Sequence, residues 1–288
     1  MSKTFPTVGL IADGPTAWMY AAPARSLGIE LVYLDTQEEV QSDAQKCEVI
    51  SIVDQSISLS IAKKLEADGV TVRPTSSAIS LSNQKTKLEM SEGVEIYVMV
   101  ARSPHGQATT WAPSEIVRQD GRWRISITPA RCLSEALQEK AQKLALDFSA
   151  LVGAAGVIAV EMSVKAEEVF IVNVEMHPQS SGNWTVDGSI TSQYEQHLRA
   201  ILDLPLGNPS MSAPYVVTGN FYCGEKPNMY RPYLHLMART PALKFHQYKS
   251  SCVLGELMGH ITLAGDDLAK IIDEVDHALQ YMQGEIDE

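Results

Sequence analysis

Apolar residues recur along the chain at two spacings, and the spacing in each stretch predicts a strand or a helix. Val157–Met162 and Val169–Val174 are short apolar runs separated by the polar stretch Lys165–Glu168, which is typical of two strands joined by a tight connection. From about Ser192 the apolar positions recur at helical spacing, which predicts an amphipathic helix. These elements lie within Gly156–Gly207, the stretch around which we expect the chain to be organised.

The region before this stretch begins with alternating apolar runs and helical patterns. Strands are predicted at Thr7–Ile11, Glu30–Leu34, Cys47–Val53 and Val70–Arg73, and helices at Ala17–Leu27, Ser56–Asp68 and Ser76–Met90. Repeated strand–helix–strand order predicts a parallel sheet. The glycine pattern G-x-G-x-x-G of dinucleotide-binding turns is absent, because Gly14 is the only glycine in the first turn. Asp13 in this turn is interpreted as a helix N-cap.

The remaining patterns predict antiparallel strands and two long helices. Strands are predicted at Val94–Arg102, Ala108–Glu115, Trp123–Ile127, Tyr215–Cys223, His235–Leu236 and Leu243–Tyr248, and helices at Leu133–Leu151 and Asp266–Met282. The dipeptide Asp120-Gly121 is a hairpin turn signal between two of these strands. The two long helices are amphipathic, so we expect each of them to cover a core.

Composition narrows the range of partners. The 288 residues carry a formal net charge of −12, which argues against nucleic acid and anionic membranes as partners. An anionic phosphate ligand would therefore need a local basic patch. No apolar run reaches the length of a membrane span, and Met1–Thr7 does not resemble a signal peptide, so we expect a cytoplasmic protein. Its four cysteines lie far apart, and we expect all four to be free thiols.

Acidic residues end the two strands that lie at the centre of the chain. Glu161 ends the first of them, and Asn173 and Glu175 end the second. Carboxylates at adjacent strand ends can meet on one face and hold a hard cation such as Mg²⁺ through oxygen ligands. The alternative is that these are plain solvated carboxylates, because acidic residues are mostly exposed.

A specific series of motifs surrounds these strands. Ser181–Thr185 reads SGNWT, Thr191–Ala200 reads TSQYEQHLRA and Leu204–Gly207 reads LPLG. Thr128–Arg131 and Met258–Thr262, which read TPAR and MGHIT, extend the series on both sides. In this order the motifs resemble the catalytic core of 5-(carboxyamino)imidazole ribonucleotide synthase, a family of ATP-grasp enzymes of purine biosynthesis.

The resemblance implies an α/β fold with three parts. These are a Rossmann-like N-terminal domain over residues 1–90, a truncated ATP-grasp core over 91–207 and a small C-terminal β-rich segment with a terminal helix over 208–288. ATP and Mg²⁺ are implied as cofactors, with Glu161, Asn173 and Glu175 as candidate metal ligands. A small molecule, a ribonucleotide among the candidates, is implied as the ligand, and a homodimer as the assembly. The candidate ligand-binding residues are Gly14, Arg131, Ser180, Ser181, Gly182, Asn183, Trp184, Arg199, Gly259 and His260.

The chain also departs from the family pattern. Only Ser91–Gly93 separates the segments that flank the lid domain in the family, so the lid over the ATP phosphates is missing. The asparagine–glutamate pair of the second metal-binding strand reads Asn173-Val174, with Glu175 one residue late. Aligned from the Ser181 side, Asn173 instead takes the place of the glutamate. Either alignment leaves the carboxylate pair incomplete.

These departures leave the function open between an enzyme and a binding protein. The reading we favour is a divergent homologue that binds a nucleotide-like small molecule, with ATP-dependent carboxylation impaired or lost and no catalytic residue assigned. The alternatives are an active ligase that carboxylates aminoimidazole ribonucleotide with bicarbonate and ATP, and a non-catalytic scaffold that binds a partner. A ligand is expected between Ala12–Thr16, Ser180–Thr185 and Gly259-His260, at the carboxyl ends of the strands.

Overall fold

The computed structural model describes residues 6–12, 14–34, 36–53, 59–85, 93–224, 230–248, 251 and 253–286. Asp13, with its predicted N-cap role, and residues 91–92 of the short join lie outside the described residues, as does the start of the helix predicted at Ser56–Asp68. None of the helices in the described ranges is both long enough and apolar enough to cross a membrane.

The N-terminal region is a four-stranded parallel sheet with helices, as the strand–helix alternation predicts. Its elements are β1 Thr7–Ile11, α1 Gly14–Met19, α2 Ala21–Leu27, β2 Glu30–Tyr33, α3 Gln37–Asp43, β3 Val49–Ile52, α4 Leu59–Ala67, β4 Val72–Arg73 and α5 Ser76–Lys85. The strand order is β2-β1-β3-β4, and every pairing is parallel. Gly28 ends α2 with φ of 67°, a left-handed conformation that favours glycine.

The rest of the chain builds one nine-stranded antiparallel sheet and its helices. Its elements are β5 Val94–Arg102, β6 Ala108–Thr110, β7 Ser114–Gln119, β8 Arg122–Thr128, α6 Glu135–Leu151, β9 Gly156–Lys165, β10 Glu168–Glu175, α7 Thr185–Gly188, α8 Gln193–Ile201, β11 Tyr215–Tyr222, α9 Arg231–Arg239, β12 Lys244–Gln247, β13 Leu257–Gly265 and α10 Leu268–Gln283. The strand order is β10-β9-β5-β7-β8-β11-β13-β12, and β6 pairs with β5.

The two faces of the large sheet are covered differently. On one face α6 packs on β5 and β9, and α10 packs on β11 and β13, burying the alternate apolar residues of these strands. On the other face the segment from Ser180 to Ile201 covers the middle of the sheet, with Trp184 packed among Met99, Val157 and Val216. Helix α8 then contacts the N-terminal sheet through Leu198 and its neighbours. Helix α8 therefore lies between the two sheets. The ends of the face of the large sheet that lies opposite α6 and α10 are not covered by this segment.

Several expectations from the sequence need correction. His235–Leu236 is not a strand but part of α9. The helix predicted at Ala17–Leu27 is two short helices, α1 and α2, and the strand predicted at Ala108–Glu115 is divided between β6 and β7. The expectation of four free thiols was wrong, because Cys223 is in a disulfide, whereas Cys47 and Cys132 are free.

The mixed α/β class is confirmed, with one parallel and one antiparallel sheet. The C-terminal strands β11, β12 and β13 continue the core sheet through the pairing of β11 with β8. The division at residues 90 and 207 stays a prediction, and the second of these boundaries falls within the elements of a single sheet.

Candidate ligand-binding site

A row of polar side chains lies on the open part of the core sheet. Asn173, Glu161 and Tyr97 are direct neighbours across β10, β9 and β5. Directly paired residues of antiparallel strands point to the same face, as do residues two apart on one strand. Glu95 and Glu175 therefore join the row on the face opposite α6. We call these five partly exposed residues the acidic face.

The groups around the Glu161 carboxylate shift its pKa in opposite directions. Burial raises the pKa of Glu161 above its ordinary value, and the charge of Glu95 acts in the same direction. Hydrogen bonds from Tyr97 and Asn173 act against that rise by stabilising the charged form. The Asn173 amide also donates from Nδ2 to Glu175 Oε1 at 2.9 Å. The Asn173 amide is therefore engaged by the Glu175 carboxylate within the row.

This donor set does not fit a magnesium site. The strand register sets the Asn173 amide opposite Glu161, which supports the alignment in which Asn173 replaces the second carboxylate. Glu175 reaches the same face but accepts a hydrogen bond from that amide. Mg²⁺ demands near-octahedral oxygen ligands, usually including carboxylates. Within the described ranges, no group of three or more His, Cys, Asp or Glu residues is arranged to hold a metal ion. The candidate metal roles of Glu161, Asn173 and Glu175 stay predictions.

The SGNWT loop is buried rather than open to a cleft. Ser181, Asn183 and Trp184 are 1%, 3% and 0% exposed, and Gly182 is buried with them. Ser181 contacts the Met99 sulfur at 3.6 Å. A Cβ on Gly182 would come within 2.3 Å of Gln193 Oε1, so a larger residue there would require the buried Gln193 side chain to shift. These contacts are internal, and the ligand roles of the loop stay predictions.

Asn183 is the centre of a hydrogen-bonded chain that we call the buried polar network. Its Oδ1 accepts from Tyr194 Oη at 2.8 Å and from Gln193 Nε2 at 3.0 Å. Its Nδ2 donates to Tyr248 Oη at 2.8 Å, and that hydroxyl is 2.5 Å from His260 Nδ1. Because Asn183 donates to the Tyr248 oxygen, the Tyr248 proton goes to His260 Nδ1. Neutral His260 therefore carries its own proton on Nε2.

His260 stays neutral in this setting. Burial lowers its pKa well below the ordinary value, and the neighbouring His246, whose ring stacks on it with centroids 4.6 Å apart, lowers the pKa further. His246 Nε2 in turn lies 2.7 Å from Asp187 Oδ2. A Cβ on Gly259 would come within 2.2 Å of the His246 carbonyl oxygen, so the MGH motif needs its glycine for close strand packing. The network ties the SGNWT loop to β12 and β13.

The other predicted ligand residues are dispersed. The Arg131 guanidinium pairs with Glu115, and Arg199 Nη2 lies 2.5 Å from Glu195 on the same helix. Ser180 is partly exposed at the start of a 3₁₀ turn, and Gly14 begins α1 in the N-terminal region. The ion pairs leave Arg131 and Arg199 engaged within the protein.

Sequence reasoning missed an aromatic and basic group beside the acidic face. Tyr97 and Trp123 stack with ring centroids 5.9 Å apart. Arg118 makes two hydrogen bonds of 2.7 Å to the Glu95 carboxylate. A cleft of about 390 Å³ adjoins Trp123; its lining includes Arg122, Arg124, Asn220 and Tyr222. The signal in the sequence is the run Arg118–Arg124, RQDGRWR, which concentrates arginine around a hairpin turn.

Comparison with known proteins relates these features to one group of enzymes. A family model described as the ATP-grasp domain matches residues 89–194. The N5-carboxyaminoimidazole ribonucleotide synthase of Mycobacterium tuberculosis is 35% identical over 225 residues, which cover 77% of this chain and 50% of the relative. The same enzyme of Mycobacterium leprae is 41% identical over 180 residues, which cover 60% of this chain and 41% of the relative. The chain thus spans about half the length, or less, of these curated relatives.

Solved structures show the same fold. The carboxyaminoimidazole ribonucleotide synthase of Aspergillus clavatus complexed with ATP aligns with a TM-score of 0.87 at 19% identity, over 97% of this chain and 99% of that chain. The N5-carboxyaminoimidazole ribonucleotide synthetase of Thermus thermophilus aligns with a TM-score of 0.80 at 20% identity, over 98% of this chain and 99% of that chain. At this identity the likeness establishes the fold alone.

Proposed function

Because the chain belongs to the family of N5-carboxyaminoimidazole ribonucleotide synthases, we propose that it binds a nucleotide-like small molecule and that its ATP-dependent carboxylation is impaired or lost. Relatives solved with ADP and 5-aminoimidazole ribonucleotide, or with ATP, support a nucleotide as the ligand class. The proposed ligand lies on the open face of the core sheet.

The acidic face is the observation that carries the proposal. Phosphoryl transfer depends on cations that neutralise the phosphates and position them. Here the Asn173 amide donates to Glu175 at 2.9 Å, and hydrogen bonding from Tyr97 and Asn173 acts to lower the pKa of Glu161 against the larger effect of burial. Without a metal ion, a triphosphate placed there would face the carboxylates of Glu161 and Glu175, while Glu95 is paired with Arg118. The face therefore repels the group that an ATP-dependent ligase must bind.

The join between α5 and β5 supports the same proposal. Residues 86–93 connect Lys85 to Val94, whereas the resembled enzymes carry a lid domain at this point. A lid supplies donors to the phosphates and excludes water. Removal of one well-placed donor from a transition state costs roughly 10²–10³ in rate. An open site also exposes an acyl phosphate to hydrolysis before an amine can capture it.

One observation favours the alternative of an active carboxylating ligase. Glu161 and Glu175 lie on the same face of adjacent strands, so rotation of the Asn173 amide away from them would leave two carboxylates near each other. In that case a partner chain would supply the lid, or the substrate would arrive already activated. A non-catalytic scaffold that binds a protein partner is the third hypothesis.

A phosphate-release assay distinguishes the proposal from the ligase alternative. The full chain is incubated with ATP, Mg²⁺, bicarbonate and aminoimidazole ribonucleotide, beside Glu161→Ala and the exposed control Glu139→Ala. We expect the native chain and both variants to release phosphate at the same background rate. Brisk turnover in the native chain and in Glu139→Ala, lost in Glu161→Ala, would contradict the proposal and establish a working metal site.

The homodimer and the cytoplasmic location stay predictions. Exposed apolar side chains support a dimer, since Tyr230 and Leu234 of the α9 region are 70% and 64% exposed. A monomer mass by light scattering at micromolar concentration would contradict the dimer. Localisation of a tagged full-length chain by fluorescence microscopy checks the compartment.

A further inference from the structure

A small cavity lies between α3 and α4, on the face of the N-terminal sheet opposite α8. Its walls include Val40 and Leu65, which belong to the apolar cluster on the α3 and α4 side of that sheet. Helix α8 packs through Leu198 into a different cluster, which is built on the alternate residues of β1 and β3. The N-terminal sheet therefore separates this cavity from α8 and from the acidic face of the core sheet.

The apolar part of the lining is entirely aliphatic. It consists of Val40, Ala44, Ile61, Leu65 and Val70. None of these five side chains carries a ring, so they offer no stacking surface for a planar group. The cavity volume of about 290 Å³ is just below the roughly 300–1,000 Å³ of small-molecule pockets. The lining therefore suits one small, branched aliphatic group.

Helix α4 places a polar edge beside the apolar lining. Ser60, Lys64 and Asp68 line the mouth of the cavity at a spacing of four residues, so they follow one another along one face of the helix. Ile61 and Leu65 lie next to them on the inner side. The Asp68 N–H donates to the Lys64 carbonyl at 3.0 Å, which continues the helical turn to Asp68. One cation and one carboxylate therefore border the same aliphatic cavity.

These two charges are not paired with each other. Within the ranges that the structure describes, the Lys64 ammonium and the Asp68 carboxylate make no ion pair and no side-chain hydrogen bond. Lys143 and Asp147, which have the same residue types at the same spacing on α6, do form an ion pair of 2.5 Å. The edge of the cavity therefore has one donor group for a carboxylate and one acceptor group for an ammonium.

We propose that this cavity binds a free α-amino acid with a branched aliphatic side chain. The side chain enters among Val40, Ile61 and Leu65. Its α-carboxylate accepts hydrogen bonds from Lys64, and its α-ammonium donates to Asp68. A ligand with only one of these charges would leave the other residue of the edge without a partner. The inference does not depend on the proposed nucleotide ligand, because it concerns the opposite side of the N-terminal sheet.

The test uses three probes that share one branched carbon skeleton and differ in charge. They are leucine, 4-methylpentanoate, which lacks the amine, and 3-methylbutylamine, which lacks the carboxylate. Each is titrated into the full chain, and the methyl groups of labelled Val, Leu and Ile residues are followed by NMR. We expect leucine to shift the methyl resonances of Val40, Ile61 and Leu65 and to leave those of Leu198 unchanged. Leucine should bind about fivefold tighter than either analogue, since each analogue loses one partly solvated ion pair.

Matched variants then assign each charge to its residue. Lys64→Gln should abolish the preference for leucine over 3-methylbutylamine and keep the preference over 4-methylpentanoate. Asp68→Asn should abolish the preference over 4-methylpentanoate and keep the other. Lys63→Gln removes the same charge from an exposed position of α4 that does not line the cavity, and it should change neither preference. All three positions are exposed, so the variants should keep the fold.

Each outcome decides the inference. Both preferences in the native chain, each lost only in its own variant, would support it. Equal binding of the three probes would overturn it, because the cavity would then select for aliphatic surface and not for the two charges. Absence of methyl shifts at Val40 and Leu65 with millimolar leucine would overturn it as well. The proposed nucleotide-binding function is tested separately, since none of these probes is a nucleotide.

Discussion

Two polar clusters lie on the same face of the core sheet and differ in how fully other protein groups satisfy their hydrogen bonds. In the buried polar network, Asn183 uses its amide oxygen and nitrogen within the protein, and Tyr248 and His260 continue the chain. On the acidic face, Glu161 and Glu175 remain partly exposed, and the Asn173 amide donates to Glu175. The side chains of the first cluster are satisfied inside the protein, whereas those of the second are partly open to solvent.

The difference changes the meaning of the retained motifs. SGNWT and MGH are the most recognisable parts of the sequence, and their side chains are buried in the interior. On the open face, by contrast, Asn173 departs from the family pattern. Motif retention in this chain therefore supports the architecture, and it is weaker evidence for the family's chemistry.

The largest expected effect comes from the interior of the covered region. Trp184 is 0% exposed and packs among Met99, Val157 and Val216. We expect Trp184→Ala to lower the free energy of unfolding by about 3–5 kcal/mol, because it removes a large ring from a closely packed layer. Urea unfolding followed by circular dichroism measures the change. Trp18→Ala, at a side chain that is 62% exposed, is the control and should stay within about 0.5 kcal/mol.

A loss below 1 kcal/mol for Trp184→Ala would contradict this account of the loop. It would mean that the SGNWT segment is loosely attached and could move to admit a ligand. The predicted ligand roles of Ser181 and Asn183 would then regain support.

Much of the fold could be predicted from the sequence, because apolar periodicity follows directly from strand and helix geometry. The bounds of β5, Val94–Arg102, were predicted to the residue. The strand prediction at His235–Leu236 was wrong, since Leu234 and Met237 have the spacing of one helix face and the helix was not recognised. Periodicity alone cannot distinguish helix from strand in so short a run.

The candidate site was predictable only in part. Glu161 and Asn173 were expected to meet because adjacent strands align. Contact between Tyr97 and Trp123 was not predictable, since β7 lies between their strands. A bulge opposite Val117 and Arg118 adds one residue to β8, which turns Trp123 toward the face of Tyr97. Bulges depend on tertiary packing and leave little trace in the sequence.

The second prediction concerns acid, which should weaken the buried polar groups. Burial lowers the pKa of His197 to about 3, and His197 Nδ1 accepts the Val157 N–H at 3.0 Å. His260 is shifted in the same direction. Below the ordinary histidine pKa of about 6.5, the unfolded chain binds protons that the folded chain cannot bind. Stability should therefore be complete above pH 6.5 and fall as the pH drops toward 3.

From the linkage relation, the neutral burial of His197 should lower the free energy of unfolding by about 2 kcal/mol between pH 7 and pH 5, and His260 acts in the same direction. Urea unfolding at pH 7, 6 and 5 measures the slope. The free energy of unfolding of His197→Gln, taken relative to its own value at pH 7, should fall less steeply with decreasing pH than that of the native chain. A native slope of zero over this interval would contradict burial of both histidines in their neutral forms.

The smallest effect is expected on the acidic face, where Glu161→Gln should change the free energy of unfolding by less than about 0.5 kcal/mol. Burial and the charge of Glu95 already disfavour the charged form, so the loss of that charge removes little stabilisation. Glu115→Gln is the contrast, because Glu115 is 7% exposed and accepts hydrogen bonds from the Arg131 backbone and side chain. This substitution should lower the free energy of unfolding by about 1.5–3 kcal/mol.

Added magnesium provides a sharper test of the acidic face. A working site would stabilise the native chain by about 2.7 kcal/mol at 100 times its Kd, and that gain would disappear in Glu161→Gln. We expect the Tm of both proteins to be unchanged by 10 mM MgCl₂. A magnesium-dependent rise confined to the native chain would mean that the Asn173 amide gives way to a metal ion.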